Sequence, residues 1–166
     1  VLKKDIRESL LRIANDFYKN TELSAPVVDI YLVGSLANFN WSQYSDLDVH
    51  LVIDYSQVND NAELVEKYTN SLKAAWNKEH DIHLRGYNVE VYIQDISKKN
   101  RSSGVYSLVK GDWVTLPQKE NFYLDANDIQ KKYQDIVVKI KYAIKEKNIE
   151  RLKQVLKDVY DMRNAG

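Results

Sequence analysis

The sequence predicts an α+β protein, and three observations lead to that fold class. Short apolar runs typical of strands occur at 27–33, at 47–53 and near 89–93, with turn residues between them. Stripes of apolar residues at helical spacing precede and separate these runs. The last part of the chain carries two more helical stripes with a break between them. We therefore expect a small β-sheet covered by helices and followed by a C-terminal helical hairpin.

Composition restricts the kind of protein. A chain of 166 residues can form one domain with a sizeable core and a small appendage, and 44% hydrophobic with 29% charged residues is typical of a globular protein. Lys plus Arg and Asp plus Glu both total 24, which excludes the basic balance of a bulk nucleic-acid binder. There is no cysteine and therefore no thiolate metal site. No run of about 18 apolar residues occurs, so we expect no membrane partner and a cytoplasmic location.

The N-terminal segment predicts an amphipathic helix. Its apolar residues recur every three or four positions and form one stripe that is suited to covering a sheet. They are Leu2, Ile6, Leu10, Ile13 and Phe17. A polar segment follows, and Pro26 ends any helix because proline cannot continue one. The first strand is predicted directly after it.

A glycine-serine pair and two aspartates are associated with the first two predicted strands. Gly34 and Ser35 follow the first strand, and Asp46 and Asp48 open the second. Residues two apart in a strand point to the same face, so these carboxylates project side by side and repel each other. A divalent cation is the usual way to offset such repulsion, and two cations about 3.5–4 Å apart are the standard device for displacement at phosphorus. His50 continues this face, and we interpret it as a hydrogen-bonding neighbour because magnesium prefers oxygen ligands.

The Gly34-Ser35 pair predicts a phosphate-binding turn. A glycine at a strand end lets the backbone approach a phosphate, and Ser35 can begin a short helix, predicted at 36–41, whose free N–H groups attract anions. Alone, a Gly-Ser pair is more often only a turn, and an Asp-x-Asp is more often a solvated strand edge. Their combination in this order is much more specific than either part.

The middle of the chain predicts a helix and two strands. The helix begins at Asp60, which caps it, and its buried side carries apolar residues at helical spacing. They are Leu64, Val65, Tyr68, Leu72, Ala75 and Trp76. Two strands follow on either side of Arg85-Gly86-Tyr87, and the second contains Glu90 among apolar residues.

The C-terminal third predicts a hairpin of strands and then a hairpin of helices. The runs 105–109 and 113–116 flank Lys110-Gly111-Asp112, which is a turn sequence. Helical stripes follow on either side of Asn148, which breaks the pattern and predicts two antiparallel helices.

The motif around the aspartates resembles the signature of the nucleotidyltransferase superfamily, the polymerase-beta-like fold. That signature is an apolar strand, Gly-Ser, a loop and an Asp-x-Asp in the next strand; here it is Gly34-Ser35 followed by Ser45-Asp46-Leu47-Asp48. Other segments are similar to stand-alone nucleotidyltransferase-domain proteins of phage and bacterial genomes. They are 44–50, Trp76-Asn77 with His80-Asp81, Gly86-Tyr87 with 89–92, and 103–107. The sequence departs from the family at Asn38-Phe39-Asn40-Trp41, where many members have another glycine.

The resemblance implies a fold and a reaction. The fold is a small mixed β-sheet with helices packed mainly on one side, in a nucleotidyltransferase domain at 1–122 with a catalytic core at about 27–117, followed by a C-terminal helical hairpin at 123–166. The reaction is transfer of a nucleoside monophosphate from a nucleoside triphosphate to an acceptor hydroxyl. It requires Mg²⁺, for which Mn²⁺ could substitute, and the acceptor is an RNA, a nucleotide, a small molecule or a protein.

The resemblance also assigns roles to residues. Asp46 and Asp48 hold two metal ions, and the family requires a third carboxylate from the neighbouring strand. Glu90 is the candidate because it is the acidic residue placed inside an apolar strand, and it would hold the metal on the acceptor side and take the hydroxyl proton. The predicted nucleotide- and phosphate-binding residues are Gly34, Ser35, Ser45 and Lys110.

Two other interpretations stay open. The first is a catalytically silent module that binds a nucleotide or a partner, although the presence of all three carboxylates speaks against it. The second is a component of a toxin–antitoxin or defence pair, in which the domain modifies or masks a partner protein. The small size and the apolar helices of the C-terminal tail suit that second interpretation, but they also suit ordinary packing.

Overall fold

The computed structural model describes residues 2–100, 102–119 and 126–164. In these ranges the chain forms four α-helices and six strands, and the strands make one mixed sheet. The predicted α+β class is confirmed. The chain divides into two compact units, Val1–Lys119 and Glu120–Gly166.

The sheet belongs to the first unit. Its strands are β1 (Asp29–Val33), β2 (Leu47–Ile53), β3 (His83–Leu84), β4 (Tyr87–Asp95), β5 (Val105–Ser107) and β6 (Asp112–Thr115). They lie in the order β3-β4-β2-β1-β5-β6. β2 and β4 are parallel, and the other neighbouring pairs are antiparallel. A parallel pair needs a crossover connection, and here the connection contains a helix, α2 (Ala62–Glu79).

Two helices pack against one face of this sheet. They are α2 and the N-terminal helix α1 (Lys4–Asn20). The rings of Phe17 and Trp76 join the two helices, with their centroids 5.5 Å apart. The buried cluster beneath them takes alternate residues from three strands: Ile30 and Leu32 of β1, Leu47, Val49, Leu51 and Ile53 of β2, and Val89, Val91 and Ile93 of β4. Because side chains alternate along a strand, the intervening polar residues lie on the opposite face.

Several element boundaries differ from the predicted ones, including the start of β1, which is two residues later, and both ends of β6, which are one residue earlier. The helix expected from Asp60 is capped one residue later, by Asn61, whose side chain accepts a backbone hydrogen bond at 3.1 Å. β5 is shorter than the predicted run 105–109. It ends at Ser107, because the backbone turns there and Gly111 N donates to Ser107 O at 2.9 Å.

The prediction of a short helix at 36–41 is wrong. The backbone forms only a single 3₁₀ turn, Ser35–Ala37, and then becomes extended at Asn38. The side chain of Asn38 explains the difference, because Nδ2 donates to Ser102 Oγ at 3.1 Å and Oδ1 accepts from Gly104 N at 2.5 Å. An asparagine that bonds to a distant backbone segment competes with continued helix formation.

The second unit is the predicted helical hairpin. Its helices are α3 (Ala126–Lys145) and α4 (Ile149–Asn164), which pack against each other. Lys147 adopts a left-handed conformation between them, with φ of 51°. Asn148 then caps α4 by accepting a hydrogen bond from Arg151 N at 2.9 Å. No helix in the described parts of the chain is both long and apolar enough to cross a bilayer.

Replacing Tyr55 by phenylalanine tests how α2 is joined to the sheet. The buried Tyr55 hydroxyl donates to Ile93 O at 3.0 Å and lies 3.1 Å from Thr69 Oγ1. Tyr55→Phe should lower the free energy of unfolding in urea by about 1–2 kcal/mol, because it leaves buried polar groups without their partner. Tyr68→Phe, at an exposed position of α2, should change it by less than about 0.5 kcal/mol. Equal losses in the two variants would contradict this account.

Candidate active site

The candidate site lies on the polar face of the sheet. The parallel register of β2 and β4 pairs Asp48 with Glu90 and His50 with Tyr92. Residues that are directly opposite project to the same face, and neighbouring strands are about 4.8 Å apart. Asp48 and Glu90 are therefore adjacent carboxylates, and both are half-buried. The structure contains the adjacency that the family resemblance implied, whereas the metal-binding role stays a prediction.

Gly34 lies directly against Asp48. Val33, the last residue of β1, is paired with Asp48, so the chain leaves β1 beside this carboxylate. Gly34 has φ of 75° and ψ of −163°, a region that is almost restricted to glycine. A Cβ at this position would lie 2.0 Å from Asp48 Oδ2. Both the backbone conformation and the space taken by the carboxylate therefore require glycine.

Serine hydroxyls hold the backbone around Gly34. Ser35 Oγ donates to Ser45 Oγ at 2.7 Å, and Ser45 Oγ also accepts from Ser42 N at 2.9 Å. Gly34 N donates to Ser102 Oγ at 3.2 Å. Three of the four predicted phosphate-binding residues, Gly34, Ser35 and Ser45, thus lie together, but the Gly34 amide and the Ser35 hydroxyl donate within the protein. Ser45 accepts two hydrogen bonds and keeps its own proton to donate.

A tyrosine and a lysine contact Glu90. Tyr92 Oη donates to Glu90 Oε2 at 2.7 Å. Lys73 Nζ, from α2, lies 4.0 Å from the same oxygen and 3.4 Å from the centre of the Tyr92 ring. Burial lowers the pKa of Lys73, while the charges of Glu90 and Asp48 act to raise it. One ammonium group therefore offsets part of the negative charge of the carboxylate pair.

His50 is a hydrogen-bonding neighbour of this cluster. Its Nδ1 lies 2.8 Å from Gln94 Oε1, and its ring centroid is 4.7 Å from that of Tyr92. Gln94 Nε2 donates to Lys98 O, so Gln94 presents its oxygen to the imidazole and Nδ1 is the donor. Burial lowers the pKa of His50, the hydrogen bond to Gln94 raises it, and the charge of Lys73 lowers it further.

Asp46 lies outside the residues of β2 that pair with β4. It lies one residue before β2 and is half-buried. Across residues 2–100, 102–119 and 126–164, no group of three or more histidine, aspartate or glutamate side chains is arranged to hold a metal ion. The geometry present is thus that of a carboxylate pair, Asp48 and Glu90, and the role of Asp46 as a further ligand stays a prediction.

Lys110 lies at the opposite end of β1 from Gly34. Its Nζ is 3.6 Å from Oδ2 of the buried Asp29, whose Oδ1 accepts from Ser107 Oγ at 2.7 Å. The four-residue step from Asp29 to Val33 separates this pair from the carboxylate cluster by on the order of 13 Å. The structure therefore does not bring Lys110 to the site. Its pairing instead ties the β5–β6 hairpin to β1.

The sequence patterns do not identify Lys73 or Ser102 as site residues. A signal for Lys73 exists, since it follows Thr69 by four positions and precedes Trp76 by three, and both of those residues are buried. A lysine at that spacing lies next to the buried stripe of the helix. Ser102 gives no local signal, because its contact with Gly34 joins residues 68 positions apart.

No family model matches this chain, and no curated protein or solved structure matches it. Any functional assignment therefore depends on the motif residues themselves and on the geometry around Asp48 and Glu90.

Replacing Gly34 tests its contact with Asp48. Gly34→Ala should lower the free energy of unfolding by about 1–3 kcal/mol from backbone strain, and the contact with the carboxylate should add to this loss. Gly86→Ala is the matched control, because Gly86 has φ of 89° and a Cβ added there would have no atom within 4 Å. Urea unfolding should show the larger loss for Gly34→Ala. A loss equal to that of Gly86→Ala would show that the carboxylate does not restrict this position.

The lowered pKa of His50 predicts a pH dependence of stability. As pH falls through the ordinary value of 6.5, the unfolded chain takes up a proton before folded His50 does, so stability decreases towards the folded pKa. His50→Gln should therefore lose less stability than the wild type between about pH 8 and about pH 5. Parallel wild-type and His50→Gln curves would exclude the effect.

Proposed function

We propose that the protein is a Mg²⁺-dependent nucleotidyltransferase that moves a nucleoside monophosphate from a nucleoside triphosphate to an acceptor hydroxyl. The observation that carries the proposal is the register that sets Asp48 beside Glu90, with Gly34 against Asp48. Two carboxylates next to a glycine turn suit the joint binding of a cation and phosphate groups. The resemblance of Gly34-Ser35 and Asp46-Leu47-Asp48 to the family signature supports the same function.

The residues present fit magnesium in their chemistry. Mg²⁺ prefers oxygen ligands, and Asp48 and Glu90 offer carboxylate oxygens on one face of the sheet. Asp46 lies two residues before Asp48 and is the candidate for a further ligand. The ammonium group of Lys73 lies beside the pair, which indicates that the two carboxylates need positive charge nearby. The metal, when bound, supplies charge neutralisation and orients the phosphates, and Mn²⁺ has similar ligand preferences.

The chain's own residues perform the remaining steps. Glu90 accepts the proton of the acceptor hydroxyl, while Tyr92 keeps its carboxylate oriented through the hydrogen bond to Oε2. The acceptor oxygen bonds to the α-phosphorus, the bond from that phosphorus to the bridging oxygen breaks, and pyrophosphate leaves. Ser45 donates its remaining proton to a phosphate oxygen. Positioning and charge neutralisation account for most of the catalysis in reactions of this type.

A nucleotide-binding module without turnover is the second candidate function. The contact between Lys73 and Glu90 favours it, because a carboxylate that is already paired with an ammonium group attracts a metal cation less strongly. The two functions differ in one measurable property, which is whether a nucleoside monophosphate moves to an acceptor.

Replacing Asp48 tests the proposed activity. The assay contains Mg²⁺, each α-labelled nucleoside triphosphate and pools of RNA, protein and small-molecule acceptors. Asp48→Asn and Glu90→Gln should each reduce label transfer by about 10²–10⁴-fold, the range for removal of a catalytic acid–base group. Asp81→Asn, at an exposed carboxylate outside the cluster, is the control and should transfer label like the wild type.

Two results of that assay would contradict the proposal. Undiminished transfer by Asp48→Asn would show that the carboxylate pair is not the active site. Triphosphate binding by the wild type without transfer to any acceptor would favour the binding module.

A further inference from the structure

Lys73 makes an ion pair with Glu90 that is less exposed to water than the surface pair of Lys67 and Glu63. The side chains of Lys73 and Glu90 are 27% and 32% exposed, whereas those of Lys67 and Glu63, one turn or more earlier on the same helix, are 73% and 76% exposed. Exposed pairs of the second kind contribute little to stability because water screens them. A pair that is mostly removed from water interacts more strongly and is costly to leave incomplete.

Three groups around Lys73 attract its positive charge. Its ammonium group lies 3.4 Å from the centre of the Tyr92 ring, where the negative face of the ring attracts positive charge. The hydroxyl of the same tyrosine donates to Glu90 Oε2, the oxygen nearest to Lys73. Asp48 lies on the adjacent strand and also interacts electrostatically with Lys73. The lysine thus faces a tyrosine ring and two carboxylates.

We propose that Lys73 is the resident counter-ion of the Asp48–Glu90 pair and that a divalent cation entering the site displaces it from Glu90. This inference rests on the proposed function, because it concerns the same carboxylates as a metal site. An ammonium group 4.0 Å from Glu90 Oε2 and a divalent cation bound to that carboxylate repel each other. The flexible four-carbon stem of lysine allows the ammonium group to move towards solvent while the stem stays packed.

A resident counter-ion has two effects of opposite sign. In the absence of metal it stabilises the fold, because it neutralises carboxylates that the sheet forces together. In the presence of metal it weakens binding, because the cation must first overcome its repulsion. A lysine whose charge is screened by water and that only packs against Tyr92 has neither effect, and a lysine that acts on the phosphates of the substrate changes triphosphate binding more than it changes metal affinity measured without nucleotide.

Lys73→Met separates these possibilities, because methionine keeps an unbranched stem over Tyr92 and removes the charge. Lys73→Arg keeps the charge, and Lys67→Met removes a charge from the exposed pair on the same helix. Binding of a nucleoside triphosphate is measured for each protein in a separate assay, and two properties are measured without nucleotide. They are the affinity for Mn²⁺, from the electron paramagnetic resonance signal of the free ion, and the melting temperature in EDTA and in saturating Mn²⁺.

Lys73→Met should bind Mn²⁺ at least about tenfold more tightly than the wild type, because removing a unit positive charge close to a divalent cation relieves a repulsion that is appreciable even at the dielectric of water. It should also melt at a lower temperature than the wild type in EDTA, and saturating Mn²⁺ should close that difference. Lys73→Arg should stay close to the wild type in Mn²⁺ affinity, and Lys67→Met should change neither property.

Three results would overturn the inference. If the wild type binds Mn²⁺ and Lys73→Met binds it equally or more weakly, Lys73 is not a competing counter-ion, while the proposed metal site stands. Unchanged Mn²⁺ affinity together with weaker triphosphate binding would make Lys73 a phosphate contact instead. If the wild type itself binds no Mn²⁺ at millimolar concentration, both the inference and the proposed metal-dependent function are wrong.

Discussion

The pairing of β2 with β4 forces two negative charges together, and the apolar core maintains that pairing. Val49 and Val91, on the strand positions next to Asp48 and Glu90, are both fully buried on the helix-covered face. A register shift of one residue would expose these valines and bury the carboxylates, so burial on one face determines what stands on the other. Each buried valine contributes on the order of 1.5–3 kcal/mol. Hydrophobic packing can therefore sustain an electrostatically unfavourable arrangement on the opposite face.

Three groups around the carboxylate pair lower the steric and electrostatic cost of placing the two carboxylates together. Gly34 leaves room for the Asp48 carboxylate, Tyr92 donates a hydrogen bond to Glu90, and Lys73 supplies positive charge. Gly104 makes a second close contact of this kind, besides that of Gly34 with Asp48, because a Cβ on Gly104 would lie 2.1 Å from Ala37 O. That contact brings the segment with Ser102 against the turn after β1. The site therefore depends on backbone packing as much as on its charged side chains.

The sequence predicted this fold well where local pattern decides the structure. β2 matches the predicted run 47–53 residue for residue, because polar Asp48 and His50 alternate with buried apolar neighbours. The same alternation predicts that Glu90 shares a face with Tyr92. Which strand lies beside β2 is a question of topology, and only the family resemblance pointed to β4. What the two adjacent carboxylates do is a question of chemistry, and no sequence pattern tests it.

The predictions failed where contacts between distant residues decide the structure. The helix expected after Ser35 does not form, because Asn38 bonds to a segment more than sixty positions away. Lys110 is a plausible phosphate ligand by residue type, but the buried Asp29 pairs with it at the other end of β1. Lys73 was missed for the same reason. A lysine near a helical stripe is usually solvated, and only the packing of α2 against β4 brings this one to Glu90.

The most direct test of the central claim is a double-mutant cycle on Mn²⁺ affinity with Asp48→Asn, Glu90→Gln and the double variant. If the two carboxylates hold one cation together, each single substitution should weaken binding strongly, and the double variant should bind little more weakly than either. Full additivity of the two effects, or wild-type affinity in Glu90→Gln, would show that Asp48 and Glu90 do not form a shared site.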